Sequence, residues 1–173
     1  MPLNSLLLDS LWYKNELKEN KTSIQINRST LSQSSETFLL FKSDNDQSHF
    51  KKTWLRKYQT GYTGNPNCCD AIAYYHDNTN SEKPVTICFI ELKGKDLPTA
   101  VEQIKMTYEA VSAQLKEDKI PLSKIHWKAV IVTSYSLPRD KNTVIKPLID
   151  KFSYDNVKLE HTNKYDILPF IKN

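Results

Sequence analysis

The sequence predicts an α/β sandwich, one mixed sheet with helices on its faces. Two observations predict it. Apolar runs of strand length recur along the chain: TFLLFK at 37–42, VTICFIELK at 85–93 and KAVIVT at 128–133. Between the last two, Val101, Ile104, Tyr108, Val111 and Leu115 recur at spacings of three and four, the period of a helix with one buried face.

The elements follow in order. Residues 5–18 carry Leu6, Leu7, Leu8, Leu11, Trp12 and Leu17 near one helical face, beside Asp9, Lys14, Glu16 and Lys18. They predict an amphipathic first helix. Residues 22–27 alternate around Ile24 and Ile26, a short strand. The serine-rich stretch 29–35 is a connector, 37–42 is a buried strand, and SDNDQS at 43–48 is a polar turn. Residues 49–60 mix bases with rings and predict an exposed strand or hairpin arm. Residues 61–67, with Gly61, Gly64 and Pro66, form a loop. Two strands follow, 69–75 and 85–93, joined by a polar hairpin loop over 77–83. The inner part of the second is apolar on both faces, as in a central strand covered on two sides. Pro98 and Thr99 open a helix over 99–116, with Glu102 completing a capping box. Residues 128–133 are another buried strand, 142–152 a helix interrupted at Pro147, and 157–160 a weak last strand. No internal repeat or long low-complexity linker divides the chain. We therefore expect one domain over 1–173, with its core over 37–134, an N-terminal helix and a C-terminal α/β tail.

The composition closes several routes. An apolar fraction of 39% and a charged fraction of 25% over 173 residues are those of an ordinary globular domain. No stretch approaches the roughly 18 to 20 apolar residues of a membrane span. The apolar run over 1–8 lacks the basic flank and cleavage site of a signal peptide, so a cytoplasmic location is expected. Three glycines leave no Gly-rich phosphate loop. Cys68, Cys69 and Cys88 are odd in number and include an adjacent pair, a poor disulfide framework; they read as buried thiols in a reducing compartment. His49, His76, His126 and His161 are scattered without zinc-ligand spacing. The net charge of +4 and pI of about 8.8 permit a nucleic-acid partner without demanding one.

One constellation stands out. In Glu91-Leu92-Lys93, residues two apart on a strand share a face, so Glu91 and Lys93 project together while Leu92 enters the opposite layer. They end the most apolar strand of the chain, and Gly94 follows, where backbone can approach closely. Asp70 stands at the start of the preceding strand. If the two strands are antiparallel neighbours, Asp70 and Glu91 meet. Two carboxylates at one strand edge repel unless a cation lies between them. Oxygen ligands select Mg²⁺ or Mn²⁺, with the Leu92 carbonyl as a third donor. Such an ion lowers the pKa of bound water and neutralises charge developing on a phosphodiester, while a neighbouring lysine orients the water and stabilises that charge.

These residues resemble the PD-(D/E)xK nuclease superfamily. The likeness rests on Asp70 in CCDAIAYY, on Glu91-Leu92-Lys93 in FIELKG about twenty residues later, and on Gln103 in AVEQI on the following helix. It covers roughly 37–134. Cys69 stands where the motif's proline would be, and Tyr108 lies five residues after Gln103, not the four of the QxxxY exonuclease branch. The resemblance implies a restriction-endonuclease-like α-β-β-β-α-β core, a central mixed sheet flanked by helices. It implies metal-dependent hydrolysis of nucleic acid, DNA favoured over RNA. In its terms Asp70, Glu91 and Leu92 hold the metal, Lys93 activates water and Gln103 orients the site. Many members add an acidic residue from the first helix, for which Glu16 and Glu36 are the candidates.

Plainer readings stand beside these. Glu-x-Lys on a strand is often a solvated ion pair, and a lone Gln103 an exposed helix position. His76 is a strand-end residue or a general base. Lys51, Lys52, Arg56 and Lys57, with Trp54 or Tyr58 as a stacking ring, form a phosphate-contacting arm or an amphipathic strand with Trp54 in the core. A non-catalytic binding or interaction module on the same scaffold is the alternative function. With no separate recognition domain expected, a homodimer or a partner protein would complete a larger assembly.

Overall fold

The computed structural model describes residues 16–19, 21–32, 35–44, 50–58, 67–79 and 83–173. Its centre is a five-stranded mixed sheet in the order β3-β4-β5-β6-β7: β3 Glu36–Lys42, β4 Ala71–Asp77, β5 Val85–Lys93, β6 Ile125–Thr133 and β7 Val157–His161. β3, β4 and β5 pair antiparallel; β5, β6 and β7 pair parallel. Helix α1, Leu97–Glu117, makes the crossover from β5 to β6, and α2, Lys141–Phe152, the one from β6 to β7. Parallel neighbours need such crossovers.

The two faces of the sheet are covered differently. Ile72, Tyr74, Ile87, Phe89, Ala129 and Ile131 face the helices α1 and α2. Phe89, Trp127, Tyr108 and Phe152 form an aromatic cluster there, with Phe89 and Trp127 stacked at 6.0 Å and Tyr108 edge-on to Trp127 at 5.0 Å. The opposite set, Ala71, Ala73, Cys88, Ile90, Leu92, Val130 and Val132, packs under Leu17, Ile24, Ile26 and Ile167. Leu17 and Ile24 belong to a second, three-stranded sheet of β1 Glu16–Glu19, β2 Thr22–Gln25 and β8 Lys164–Asp166; Ile26 follows β2, and Ile167 leads into helix α3, Leu168–Lys172. The expectation of one sheet with helices on both faces is corrected here. A small mixed sheet closes one side, its buried Leu17 and Ile24 packed on the apolar face of the large sheet.

Other expectations are refined. Residues 16–18 do not end a helix: they lie in β1, where Leu17 is buried and Glu16, Lys18 and Glu19 are exposed. The rest of the expected first helix, His49, the loop over 61–66 and part of the loop over 77–83 lie outside the described residues. Residues 50–58 are helical, not extended: a π turn Phe50–Leu55 runs into an α turn Arg56–Tyr58. Phe50, Trp54 and Leu55 share one buried face, which a strand could not give them. Helix α1 begins at Leu97, ahead of the expected capping box. Its cap is Asp96, whose carboxylate accepts the Thr99 N–H at 3.1 Å. Helix α2 continues through Pro147. Among the described residues no helix is long and apolar enough to cross a membrane.

Glu36, at the far end of β3, ties the layers together. Its carboxylate accepts the Lys172 ammonium of α3 at 2.7 Å, the Tyr75 hydroxyl and the Ser32 N–H at 2.6 Å. Lys172, Tyr75 and Ser32 together hold its carboxyl down from 4.5 to about 2. A depressed carboxyl contributes stability that is complete above pH 4.5 and lost as pH falls towards 2. Lys172 is 30% exposed, so solvent screening reduces the contribution to about 1 kcal/mol. Glu36→Gln should therefore lower stability by about 1 kcal/mol at neutral pH, and the gap to wild type should close on acidification, as chemical denaturation across pH will show.

Candidate active site

The register of β4 and β5 builds the site. Ala71 pairs with Ile90, so Asp70 and Glu91 come opposite each other one step beyond. The ladder stops there, and side chains replace its next rungs. Asp70 Oδ2 accepts the Leu92 N–H at 2.6 Å, and Glu91 Oε2 accepts the Asp70 N–H at 3.1 Å. Glu91 is 1% exposed. Ile87 and Phe89 of the same strand face α1, so alternation sends Glu91 and Lys93 to the α1 face and Leu92 to the small sheet.

Lys93 is held at two points. Its ammonium lies 3.2 Å from Glu91 Oε1 and donates to Gln103 Oε1 at 2.6 Å. Gln103, on the second turn of α1, fixes its own amide by donating to the Cys68 carbonyl at 3.0 Å. One turn later Thr107 accepts the Cys69 N–H at 2.9 Å and donates to the Gln103 carbonyl at 2.7 Å. The backbone leading to Asp70 is thus stitched to α1. From the other side, the Ser43 N–H reaches the Asp70 carbonyl at 3.0 Å.

Burial pushes the carboxyls of both Asp70 and Glu91 upward. Glu91 is raised further by the Asp70 charge and eased by Lys93. Asp70 is eased by the Leu92 N–H and raised further by Glu19 and Asp44. Glu19, the last residue of β1, lies close enough to the Asp70 carboxyl to raise it further. It is the acidic neighbour that sequence reading missed. Glu16, three residues earlier, is exposed on β1, and Glu36 is excluded by register: it pairs with Asp77 while Lys42 pairs with Ala71, so it lies at the opposite end of the sheet. His76 is also at that far end, bonded to Asn78 at 2.8 Å. Tyr108 belongs to the aromatic cluster, not to the site. Gly94 is not demanded sterically, since a Cβ there would meet only the Tyr135 ring at 3.6 Å, an ordinary contact.

A cleft of about 330 Å³ opens beside these groups, lined by Glu19, Lys21, Leu92, Lys93, Gly94 and Tyr135 among others. The basic segment 50–58 presents Lys52, Arg56 and Lys57 to solvent, with Lys57 paired to Glu117. Lys51 pairs with Asp44 at 2.6 Å. Trp54 is 4% exposed and packs edge-on against Phe50, so it is a core residue with no face free for a base. The three cysteines are buried free thiols.

Asp70, Glu91 and the Leu92 carbonyl could offer an ion oxygen donors alone. On a strand a residue's N–H and C=O point the same way, so the Leu92 carbonyl lies on the side where its N–H meets Asp70. Among the described residues no group of three or more His, Cys, Asp or Glu side chains makes a ready cage for an ion. Magnesium commonly takes one or two carboxylates and keeps several waters, so this donor set fits it.

No protein-family model, curated protein or solved structure matches this chain.

The carboxylate cluster carries a cost in the folded protein. Asp70→Asn keeps an oxygen for the Leu92 N–H and offers an N–H to Glu19, while removing a charge beside Glu91. In metal-free buffer at neutral pH it should raise stability by about 1 kcal/mol, read as an increased melting temperature; a drop would show that the cluster is not repulsive.

Proposed function

We propose that this protein is a divalent-metal-dependent nuclease of the PD-(D/E)xK type, acting on DNA in preference to RNA. One observation carries the reading: Asp70 and Glu91 face each other across the ends of adjacent buried strands, with Lys93 on the same face and in contact with Glu91. The strand order supports it. β3, β4, β5, α1 and β6 follow one another as β-β-β-α-β, with the acidic residues at the β4–β5 edge. This order is in keeping with a restriction-endonuclease-like core, with the helical turns over 50–58 added between β3 and β4. The preference for DNA rests on the resemblance alone.

In this reading Asp70, Glu91 and the Leu92 carbonyl would hold Mg²⁺ or Mn²⁺. Such an ion, when bound, lowers the pKa of a coordinated water and offsets charge on the phosphodiester. The chain's own groups do the rest. The Leu92 N–H holds the Asp70 carboxylate in place. Glu91 and Gln103 fix the Lys93 ammonium from two sides, so it enters the reaction already oriented. With two of its N–H bonds held by Glu91 and Gln103, the ammonium would use the third to orient the attacking water and its charge to balance the phosphoryl oxygens. Gln103 acts through Lys93 and is a positioning residue.

The test is cleavage of plasmid DNA with Mg²⁺ or Mn²⁺. Wild type should cut, and chelation should stop it. Lys93→Ala should lose about 100-fold or more in rate, while Gln103→Ala should lose about tenfold. Calorimetric Mn²⁺ binding should weaken in Glu91→Gln. Equal rates for wild type and Lys93→Ala would sink the mechanism.

A further inference from the structure

The cleft beside Lys93 has a wall that the hydrolytic groups do not use. β5 and β6 run parallel with Lys93 paired to Thr133, so Gly94-Lys95 and Ser134-Tyr135 leave the sheet side by side at its carboxyl end. Ligands of open α/β sheets bind outside that end. Thr133 ties the two exits together: its hydroxyl donates to the Gly94 carbonyl at 2.9 Å and accepts the Tyr135 N–H at 3.1 Å. Tyr135 is thereby held beside the site, yet its side chain stands out, 43% exposed. The Lys95 ammonium lies over its ring, 5.3 Å from the centroid. The other two large exposed rings among the described residues differ. Tyr58 is bonded to Glu109, and Tyr154 borders a separate cavity beside α2. Tyr135 alone of the three lines the cleft that holds Lys93.

An exposed ring face, a cation above it and a lysine-lined cleft beside it are the parts of a single-strand binding platform. We propose that Tyr135 and Lys95 form a stacking platform for one unpaired base of single-stranded DNA, next to the phosphodiester that Lys93 faces. This rests on the nuclease reading. On binding, the base takes the ring face that the Lys95 ammonium covers, and the ammonium moves to a neighbouring phosphate. Lys21, on the cleft's other wall, meets the backbone on the far side. A base inside a duplex is stacked on both faces and cannot lie on the ring, so the platform selects unpaired strands.

Fluorescence anisotropy with a labelled oligothymidine of about 12 nucleotides, and with a blunt duplex of equal length, tests this in chelator, where nothing is cut. Wild type should bind the single strand more tightly than the duplex. Tyr135→Ala and Tyr135→Leu should weaken single-strand binding about tenfold and leave duplex binding unchanged, whereas Tyr135→Phe should keep it. Lys95→Ala should weaken it about threefold and flatten its salt dependence. Single-strand binding by Tyr135→Ala equal to wild type overturns the platform, as does equal loss in Tyr135→Phe or a wild type that prefers duplex. If metal-dependent cleavage still depends on Lys93 in that case, the nuclease reading stands alone. A wild type that neither binds the oligonucleotide nor cuts DNA overturns both.

Discussion

The antiparallel register of β4 against β5 is the constraint on which the rest depends. Pairing Ala71 with Ile90 sets Asp70 opposite Glu91. A slip of one residue would turn Glu91 and Lys93 into the layer of Leu17 and Ile24, and Ile90 and Leu92 towards α1. The register is pinned by burial on both faces, since Ile72, Phe89, Ala73 and Cys88 are all fully covered. The site thus inherits its geometry from the least deformable part of the molecule. Rigid elements hold reactive groups more closely than loops can.

The same sheet treats its acids in opposite ways at its two ends. At the far end Glu36 is matched by Lys172, and Asp77 by Lys83, whose ammonium, with Thr79, holds the carboxyl well below the usual range. Those groups gain from being charged. At the near end Asp70, Glu91 and Glu19 crowd together, Lys93 is the cation against Glu91, and burial raises Asp70 and Glu91. A fold has no structural need for such an arrangement. Buried groups of like charge cluster at functional sites, whereas the ion pairs of the far end hold the layers together.

This contrast also explains which parts of the site were legible in the sequence. Glu91 and Lys93 could be read because a central strand declares itself locally: VTICFI is apolar on both faces, and charges at its end stand out. Asp70 followed from one inferred pairing between neighbours in sequence, and the pairing is the observed one. Glu19 could not be found this way. It reaches Asp70 through β1 and the packing of a second sheet that joins β2 to β8, residues about 140 apart in the chain. Nothing local distinguishes Glu19 from Glu16 or Glu36. The segment 50–58 failed for another reason. Phe50, Trp54 and Leu55 are spaced for one helical face, but the intervening lysines mask that period beside the alternation of a strand.

The polarity of the strands explains why one edge gathers so much. β4 begins there, while β5 and β6 both end there, so the approach to Asp70 and the exits after Lys93 and Thr133 converge. The turn from β1 to β2 adds Glu19 and Lys21 from the other layer. An all-antiparallel sheet would send the strand after β5 back the other way, and Tyr135 would emerge at the opposite end. The parallel step from β5 to β6, made by α1, therefore does two things at once. It lays Gln103 over Lys93, and it brings the Tyr135 ring to the same cleft. The crossover that secures Lys93 also decides which side chains surround it.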